Sequence, residues 1–260
     1  MNHEPCLILK NRKIAPDIFE LAIHAPRIAS SCTAGQFVMV YLDKREILLP
    51  RPISVCRCER EDIYLVYKVM GDGTKHISTL TPGTFLRITG PLGKGFTIKR
   101  RLKKVALIGG GIGVPPMVML YKTLKDVQAD IYLGFKEESI LTEHFEGAAG
   151  LYIATETGQE GMQGNVLDLL NYKSQHYDEM YACGPKPMLA AISQYVKNKA
   201  IPLQISLEER MACGIGTCMG CVISGTHGRA ASEVNGQPPD YMKICCEGPV
   251  FYSDKVVLDA

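Results

Sequence analysis

The sequence predicts three units in series: an antiparallel β-barrel, a doubly wound parallel α/β sheet, and a small C-terminal module folded around a metal centre. Three observations predict it. Short strand-like runs with regular turn signals fill the first hundred residues, and strand and helix patterns alternate from Val105 to Leu207. Five of the ten cysteines then fall between Cys213 and Cys246. The expected boundaries are 1–100, 101–205 and 206–260.

The barrel is expected from Ile18 to Ile23, Gln36 to Tyr41, Ile63 to Val69 and Phe85 to Ile88. These runs are rich in branched and aromatic residues. Ala34-Gly35, Gly71-Asp72-Gly73, Thr81-Pro82-Gly83, Gly90-Pro91 and Gly93-Lys94-Gly95 separate them as turns. The basic run from Lys99 to Lys104 follows and reads as a solvated linker.

The second unit opens at Val105 to Ile108, an apolar strand that ends in glycine, with a helix from Pro115 to about Leu124. Strands are expected at Ile131 to Phe135, Leu151 to Ala154 and Met180 to Ala182, with Leu203 to Leu207 as the final one. Between the last two, Met188, Leu189, Ile192, Tyr195 and Val196 share one helical face.

Composition excludes several classes. Of 260 residues, 46% are hydrophobic and 22% charged, which suits packed cores rather than a disordered chain. With 29 basic and 27 acidic residues there is no electrostatic case for nucleic acid or an anionic membrane surface. The uncharged stretch Val105 to Tyr121 holds too many glycines and prolines to span a membrane as a helix. No secretory pattern follows Met1, so a cytoplasmic chain is expected.

In a reducing compartment clustered thiols point to metal rather than disulfides. Cys213, Cys218 and Cys221 have C-x4-C-x2-C spacing, with Cys245-Cys246 distant. That is the plant-type [2Fe–2S] pattern. Three thiolates come from one tight loop, and Gly214, Gly216 and Gly220 let its backbone wrap closely. Zinc is the competing reading, but its sites pair C-x2-C units more closely. Spacing alone leaves Cys245 and Cys246 open as the fourth ligand.

Two turns point to a nucleotide. Gly109, Gly110, Gly111 and Gly113 join a strand to a helix, where backbone amides and the helix dipole can meet a pyrophosphate. Cys183-Gly184-Pro185 ends a later strand on the same carboxyl edge. The glycines depart from G-x-G-x-x-G, and Lys136-Glu137-Glu138 gives no clear ribose partner, so a structural turn is the alternative. For Cys183 the alternative is a buried core thiol. In the barrel, Arg51-Pro52-Ile53-Ser54 and Gly71-Asp72-Gly73-Thr74 could cradle a pyrophosphate, Arg51 by a bidentate contact. A structural Arg–Glu pair is the plainer reading there.

Together, the R-P-I-S string, the G-G-G-I-G-V-P-P-M turn and A-C-G-P resemble the ferredoxin–NAD(P) reductase superfamily. The tail from Ser206 to Cys221, with Lys243 to Phe251, closely resembles the electron-transfer subunits of class 1B dihydroorotate dehydrogenases. That resemblance implies FAD in the barrel, NAD in the middle domain and one [2Fe–2S] cluster on Cys213, Cys218, Cys221 and Cys245. By the same resemblance FAD contacts fall on Arg51, Pro52, Ile53 and Ser54, on Val66, Tyr67 and Lys68, and on Gly73 and Thr74. NAD contacts fall on Gly109, Gly110, Gly111, Gly113, Cys183, Gly184 and Pro185, with Cys183 a packing or tuning residue. The implied partner is an FMN-bearing catalytic subunit that oxidises dihydroorotate in pyrimidine biosynthesis, in a heterotetramer of two of each. The alternatives are a related reductase subunit serving another partner and a zinc-binding nucleotide-sensing module. Glu208 and Glu209 are either flavin-facing or a surface pair. The stretch between Cys221 and Cys245 looks like an insertion in an exposed hairpin.

Overall fold

The computed structural model describes residues 2–44, 46–226 and 241–258. Its first half is a closed barrel of β1 (Asn2–Ala15), β2 (Ile18–His24), β3 (Phe37–Tyr41), β4 (Arg51–Glu59), β5 (Asp62–Lys68) and β6 (Phe85–Leu92), in the order β1-β2-β5-β4-β3-β6. Helix α1 (Pro26–Ala29) precedes β3, and α2 (Asp72–Ser78) precedes β6. The four expected strands are β2, β3, β5 and β6. The sequence reading missed β1 and β4. In β1 the first half pairs with β6 and the second with β2, with register shifts that break the inward alternation. The charged run Lys10 to Lys13 therefore sits within a strand rather than in a loop.

The second half is a seven-stranded sheet. It is built from β7 (Lys104–Gly110), β8 (Gln128–Phe135), β9 (Gly150–Thr155), β10 (Met162–Gln163), β11 (Glu179–Cys183) and β12 (Leu203–Ser206). Helices α3 (Val114–Thr123), α4 (Val166–Lys173) and α5 (Lys186–Lys197) connect them. The tail adds β13 (Val222–Ser224), β14 (Tyr241–Lys243) and β15 (Val250–Tyr252). The sheet runs β10-β9-β8-β7-β11-β12-β15, parallel except at the last strand. Leu203–Leu207 is thus not the final strand. Beyond it, β15 pairs antiparallel with β12, Ile205 opposite Phe251, and the Leu207 amide donates to the Pro249 carbonyl at 2.9 Å. The strand order reverses between β7 and β11, where open α/β sheets place their ligands.

Core packing joins the parts. Helix α3 lies between β7 and the barrel strand β4, which is why Val114 to Leu120 are buried all round. On the other side of the sheet, Leu169, Leu170, Leu189 and Ile192 of α4 and α5 share a core with the tail residues Cys221, Ile244, Cys245 and Phe251 and the barrel residues Phe37 and Met39. An ion network, buried at Arg57 and Glu20, adds to the first junction. Arg57 of β4 meets Glu20 at 2.9 Å and Glu59 at 2.8 Å, and Lys122 of α3 meets Glu59 at 3.6 Å.

The basic run is only partly a solvated linker. Arg100, Arg101 and Lys103 are exposed, but Lys99 lies 3.3 Å from the buried carboxylate of Glu179 and Lys104 3.1 Å from buried Asp130. A buried carboxylate needs a partner, and these two lysines supply it. Strands β13 and β14 pair antiparallel, as a hairpin stem would. The rest of the proposed insertion, residues 227–240, lies outside the described residues. No helix among the described residues is long and apolar enough to cross a membrane.

Candidate functional site

The cysteine loop follows Met211, which is packed into the core. Left-handed backbone at Gly214 (φ +70°) and Gly216 (φ +83°) closes it tightly, a conformation that favours glycine. Gly214 also packs so closely on Met39 of β3 that a β-carbon there would collide with it. The thiols come as two pairs. Cys213 and Cys218 have sulfurs 3.2 Å apart, and the Cys221 thiol lies near enough to Cys245 to raise it. The Gly216 amide donates to the Cys245 sulfur at 3.1 Å, and the Cys218 amide to the Cys213 sulfur at 3.4 Å. Cys245 is buried and Cys246 exposed, which favours Cys245 as the fourth ligand.

Two sulfide-bridged irons take four thiolates in two pairs, and the C-x4-C-x2-C loop together with Cys245 supplies four. The loop also readies its sulfurs for metal. Burial opposes ionisation of Cys213, but the amides of Cys218, Ile215 and Thr217 outweigh it and bring the thiol down to about 6. Burial and then the Cys221 thiol push Cys245 up to about 12, so metal binding there would release a proton.

The two nucleotide-type turns meet at the switch point. Cys183 pairs with Gly109 across β11 and β7. A β-carbon on Gly113 would collide with the Cys183 carbonyl, and one on Gly110 with the Met188 sulfur. Gly111 (φ +53°) begins a 3-10 turn through Gly113, and α3 follows with Pro115 and Pro116 in its first turn. Gly184 and Pro185 lead directly into α5. Two helix N-termini and two tightly packed turns thus share one edge, with open space only at Gly111; helix N-termini placed so receive phosphate oxygens. Cys183 is wholly buried. Burial, and then the charge of Glu208, raise its thiol far above the ordinary range, so it is neutral and packs rather than ionises.

A cleft of about 540 Å³ opens between barrel, sheet and tail. Cofactor pockets typically measure roughly 300–1,000 Å³. Arg51, Pro52, Ile53 and Ser54 of β4 line it, with Val66, Tyr67 and Lys68 of β5 and Thr74 of α2. Arg51 forms no ion pair with a glutamate among the described residues. Its guanidinium donates to the Leu49 carbonyl at 2.6 Å and lies over Gly73, where any β-carbon would displace it. Thr74 accepts from the Met70 amide at 2.9 Å and fixes the start of α2. Gly73 shapes the wall without lining it. Gly109 to Gly111, Gly113, Cys183, Gly184 and Pro185 lie at the sheet edge, and from that edge Ile112 and Lys186 reach the cleft.

Sequence reasoning missed Phe37, Met70, Lys186 and the wall from Leu207 to Met211 as cleft residues, apart from singling out Glu208 and Glu209. The available signal was position. Leu207 follows a strand that ends at the same carboxyl edge, and Lys186 follows Ala182-Cys183-Gly184-Pro185.

Comparison with known proteins decides the family. Residues 208–257 match the family model described as the iron–sulfur cluster binding domain of dihydroorotate dehydrogenase B. Over 250 residues the chain is 38% identical to the dihydroorotate dehydrogenase B (NAD(+)) electron transfer subunit of Caldanaerobacter subterraneus subsp. tengcongensis, covering 96% of each. It is also 38% identical over 260 residues to the corresponding subunit of Listeria innocua, covering 96% of this chain and 97% of the other. The chain belongs to the family of dihydroorotate dehydrogenase B electron-transfer subunits.

A solved chain of an NADH-dependent reduced ferredoxin–NADP oxidoreductase, studied for flavin-based electron bifurcation, superposes with a TM-score of 0.84 at 27% identity, covering 97% of this chain and 90% of that one. The ferredoxin reductase of a carbazole 1,9a-dioxygenase has a TM-score of 0.68 at 16% identity over 78% of this chain and 68% of that one, a likeness of fold. As a family member the chain is an electron-transfer component of an oxidoreductase, with FAD, NAD and a [2Fe–2S] cluster as its redox groups. The residues present fit them: paired thiols for the cluster, a glycine edge with two helix N-termini for NAD, and a cleft walled by Arg51 for FAD.

Proposed function

We propose that this subunit carries electrons from dihydroorotate, oxidised at the FMN of a partner catalytic subunit, through its cluster and FAD to NAD. Residues 1–100 would hold FAD, 101–205 NAD and 206–260 the cluster. One observation carries the reading. All three segments meet at one cleft, and the module that holds the paired thiols packs on the same barrel rim through Met39 and Gly214. A flavin exchanges electrons singly with an iron–sulfur cluster and in pairs, as hydride, with a nicotinamide.

The chain's residues bind and orient. Arg51 neutralises pyrophosphate charge, and Ser54, Tyr67, Lys68 and Thr74 frame the ring and its tail. Pro52, Ile53 and Val66 exclude water from the ring face. Gly109 to Gly113, with Gly184 and Pro185, bring the N-termini of α3 and α5 together at the sheet edge, and Gly111 leaves space there for the dinucleotide. Buried Cys183 packs behind the place where the two rings meet. Cys213, Cys218, Cys221 and Cys245 hold the irons.

A heterotetramer of two subunits of each kind, working in the cytoplasm, is the assembly this reading implies. Anaerobic addition of dihydroorotate to the purified complex tests it: NADH should form, and the FMN should purify with the partner. The structural likeness to the ferredoxin–NADP oxidoreductase chain favours one other reading, a similar subunit serving a different electron donor. A complex that reduces its flavin with NADH but ignores dihydroorotate would establish that reading instead.

A further inference from the structure

One buried side chain ties the barrel to the sheet and the tail. Gln204 of β12 is almost wholly buried. Its carboxamide oxygen accepts from the Thr97 amide at 2.9 Å, and its nitrogen donates to the Thr97 carbonyl at 2.6 Å. Thr97 lies in the segment that leaves the barrel between β6 and β7. The same nitrogen donates to the Glu179 carboxylate of β11 at 3.0 Å and faces the Tyr252 hydroxyl of β15 at 3.4 Å. Glu179 in turn meets Lys99 of the exit segment. Phe96, beside Thr97, packs edge-on against Tyr181 of β11 at 5.7 Å, and its amide donates to the Ala34 carbonyl of the barrel half at 2.8 Å.

These bonds fix a register. The barrel also meets the sheet through α3, but that helix is apolar from Val114 to Leu120, and apolar contact has no preferred direction. Hydrogen bonds do. A carboxamide that both accepts from and donates to one residue holds that residue at a single place along the strand. Two residues on from Gln204, Ser206 pairs with Cys183 at the sheet edge. The place of the exit segment on β12 therefore governs the place of the barrel cleft against that edge. We propose that Gln204 is a positioning residue for hydride transfer, setting the spacing between the flavin in the barrel and the nicotinamide at the sheet edge. It acts through the exit segment and does not itself line the cleft. The inference rests on the placement of the two cofactors given above. Hydride transfer needs reacting atoms about 3–3.5 Å apart, and a misplacement of about 1 Å can cost about a hundredfold in rate.

Gln204→Met keeps the length of the side chain and loses its hydrogen bonds. Gln204→Asn keeps the carboxamide but withdraws it by one methylene. The holo-complex of each is mixed with NADH in a stopped-flow spectrometer. Both variants should keep FAD and cluster iron at wild-type amounts and bind NADH with wild-type affinity. In Gln204→Met the long-wavelength charge-transfer absorbance of the nicotinamide–flavin pair should weaken, and hydride transfer at saturating NADH should slow about tenfold or more, with Gln204→Asn between. Hydrogen exchange read by mass spectrometry should show the Thr97 amide protected in the wild type and released in Gln204→Met, a readout independent of turnover. A Gln204→Met complex with undiminished absorbance and rate overturns the proposal. Loss of FAD or iron from both variants in step with the rate also overturns it, because Gln204 would then serve the fold alone. A wild-type complex without charge-transfer absorbance on mixing with NADH overturns the cofactor placement and the proposal with it, which separates the two failures.

Discussion

The amide of Gly216 donates to the sulfur of Cys245 at 3.1 Å, across 29 residues of chain. That contact sets Cys245 inside the loop and leaves its neighbour Cys246 exposed. Cys245→Ser should therefore lose the iron–sulfur cluster, whereas Cys246→Ser should keep it. Iron and acid-labile sulfide, measured on both variants purified without oxygen, check this. Retention in both would show that the two thiols can exchange roles, and loss only in Cys246→Ser would make Cys246 the ligand.

Gly113 faces the Cys183 carbonyl at a separation that a side chain cannot share. Gly113→Ala should push the two turns apart. Overpacking of this kind costs about 1–3 kcal/mol of stability, and NADH affinity should fall at least tenfold, about 1.4 kcal/mol. Titration of NADH binding together with a denaturation curve separates the two effects.

Gly73 lies beneath the Arg51 guanidinium. Hydrogen bonds to charged groups contribute about 1.5–3 kcal/mol, so Arg51→Ala should weaken FAD binding roughly ten- to a hundredfold. Gly73→Ala displaces only the end of a flexible side chain. It should weaken FAD binding less and leave the melting temperature of the flavin-free protein near the wild-type value. Flavin retention on gel filtration checks both.

Much of this was legible in the residues, and the failures have physical causes. Turn glycines and apolar runs marked β2, β3, β5, β6 and β7, because each is a short run of branched and aromatic residues bounded by turn signals. Strand β1 was hidden because its halves pair with different partners, and β4 because Arg51 to Ser54 read as a binding string. The antiparallel β15 was hidden because Val250 to Tyr252 is short and its partner β12 is far off in sequence. Spacing marked three of the paired cysteines but could not choose between Cys245 and Cys246; burial and the Gly216 contact favour Cys245. Spacing also could not show that Lys99 would turn back to a buried Glu179, since such pairing depends on the closed fold.

The pair of Glu20 and Arg57 sets an acid limit on stability. Burial alone would raise the Glu20 carboxyl, but the Arg57 hydrogen bond and charge, helped by Arg12, hold it below the ordinary range. A carboxyl lowered in the folded state stabilises above its unfolded value, about 4.3, and that contribution is lost as pH falls through the folded value. Melting temperature should therefore drop steeply below about pH 4, and less steeply in Glu20→Gln. Arg57→Met, which strands the buried carboxylate, should cost about 3 kcal/mol at neutral pH.

The central claim is that paired thiols and a flavin cleft in one chain link one-electron to two-electron chemistry. The most direct measurement is the iron, acid-labile sulfide and flavin content of the anaerobically purified protein. Iron and sulfide in equal amounts, each about twice the flavin, are predicted for one [2Fe–2S] cluster beside one FAD. A colourless protein with zinc as its only metal would contradict the account.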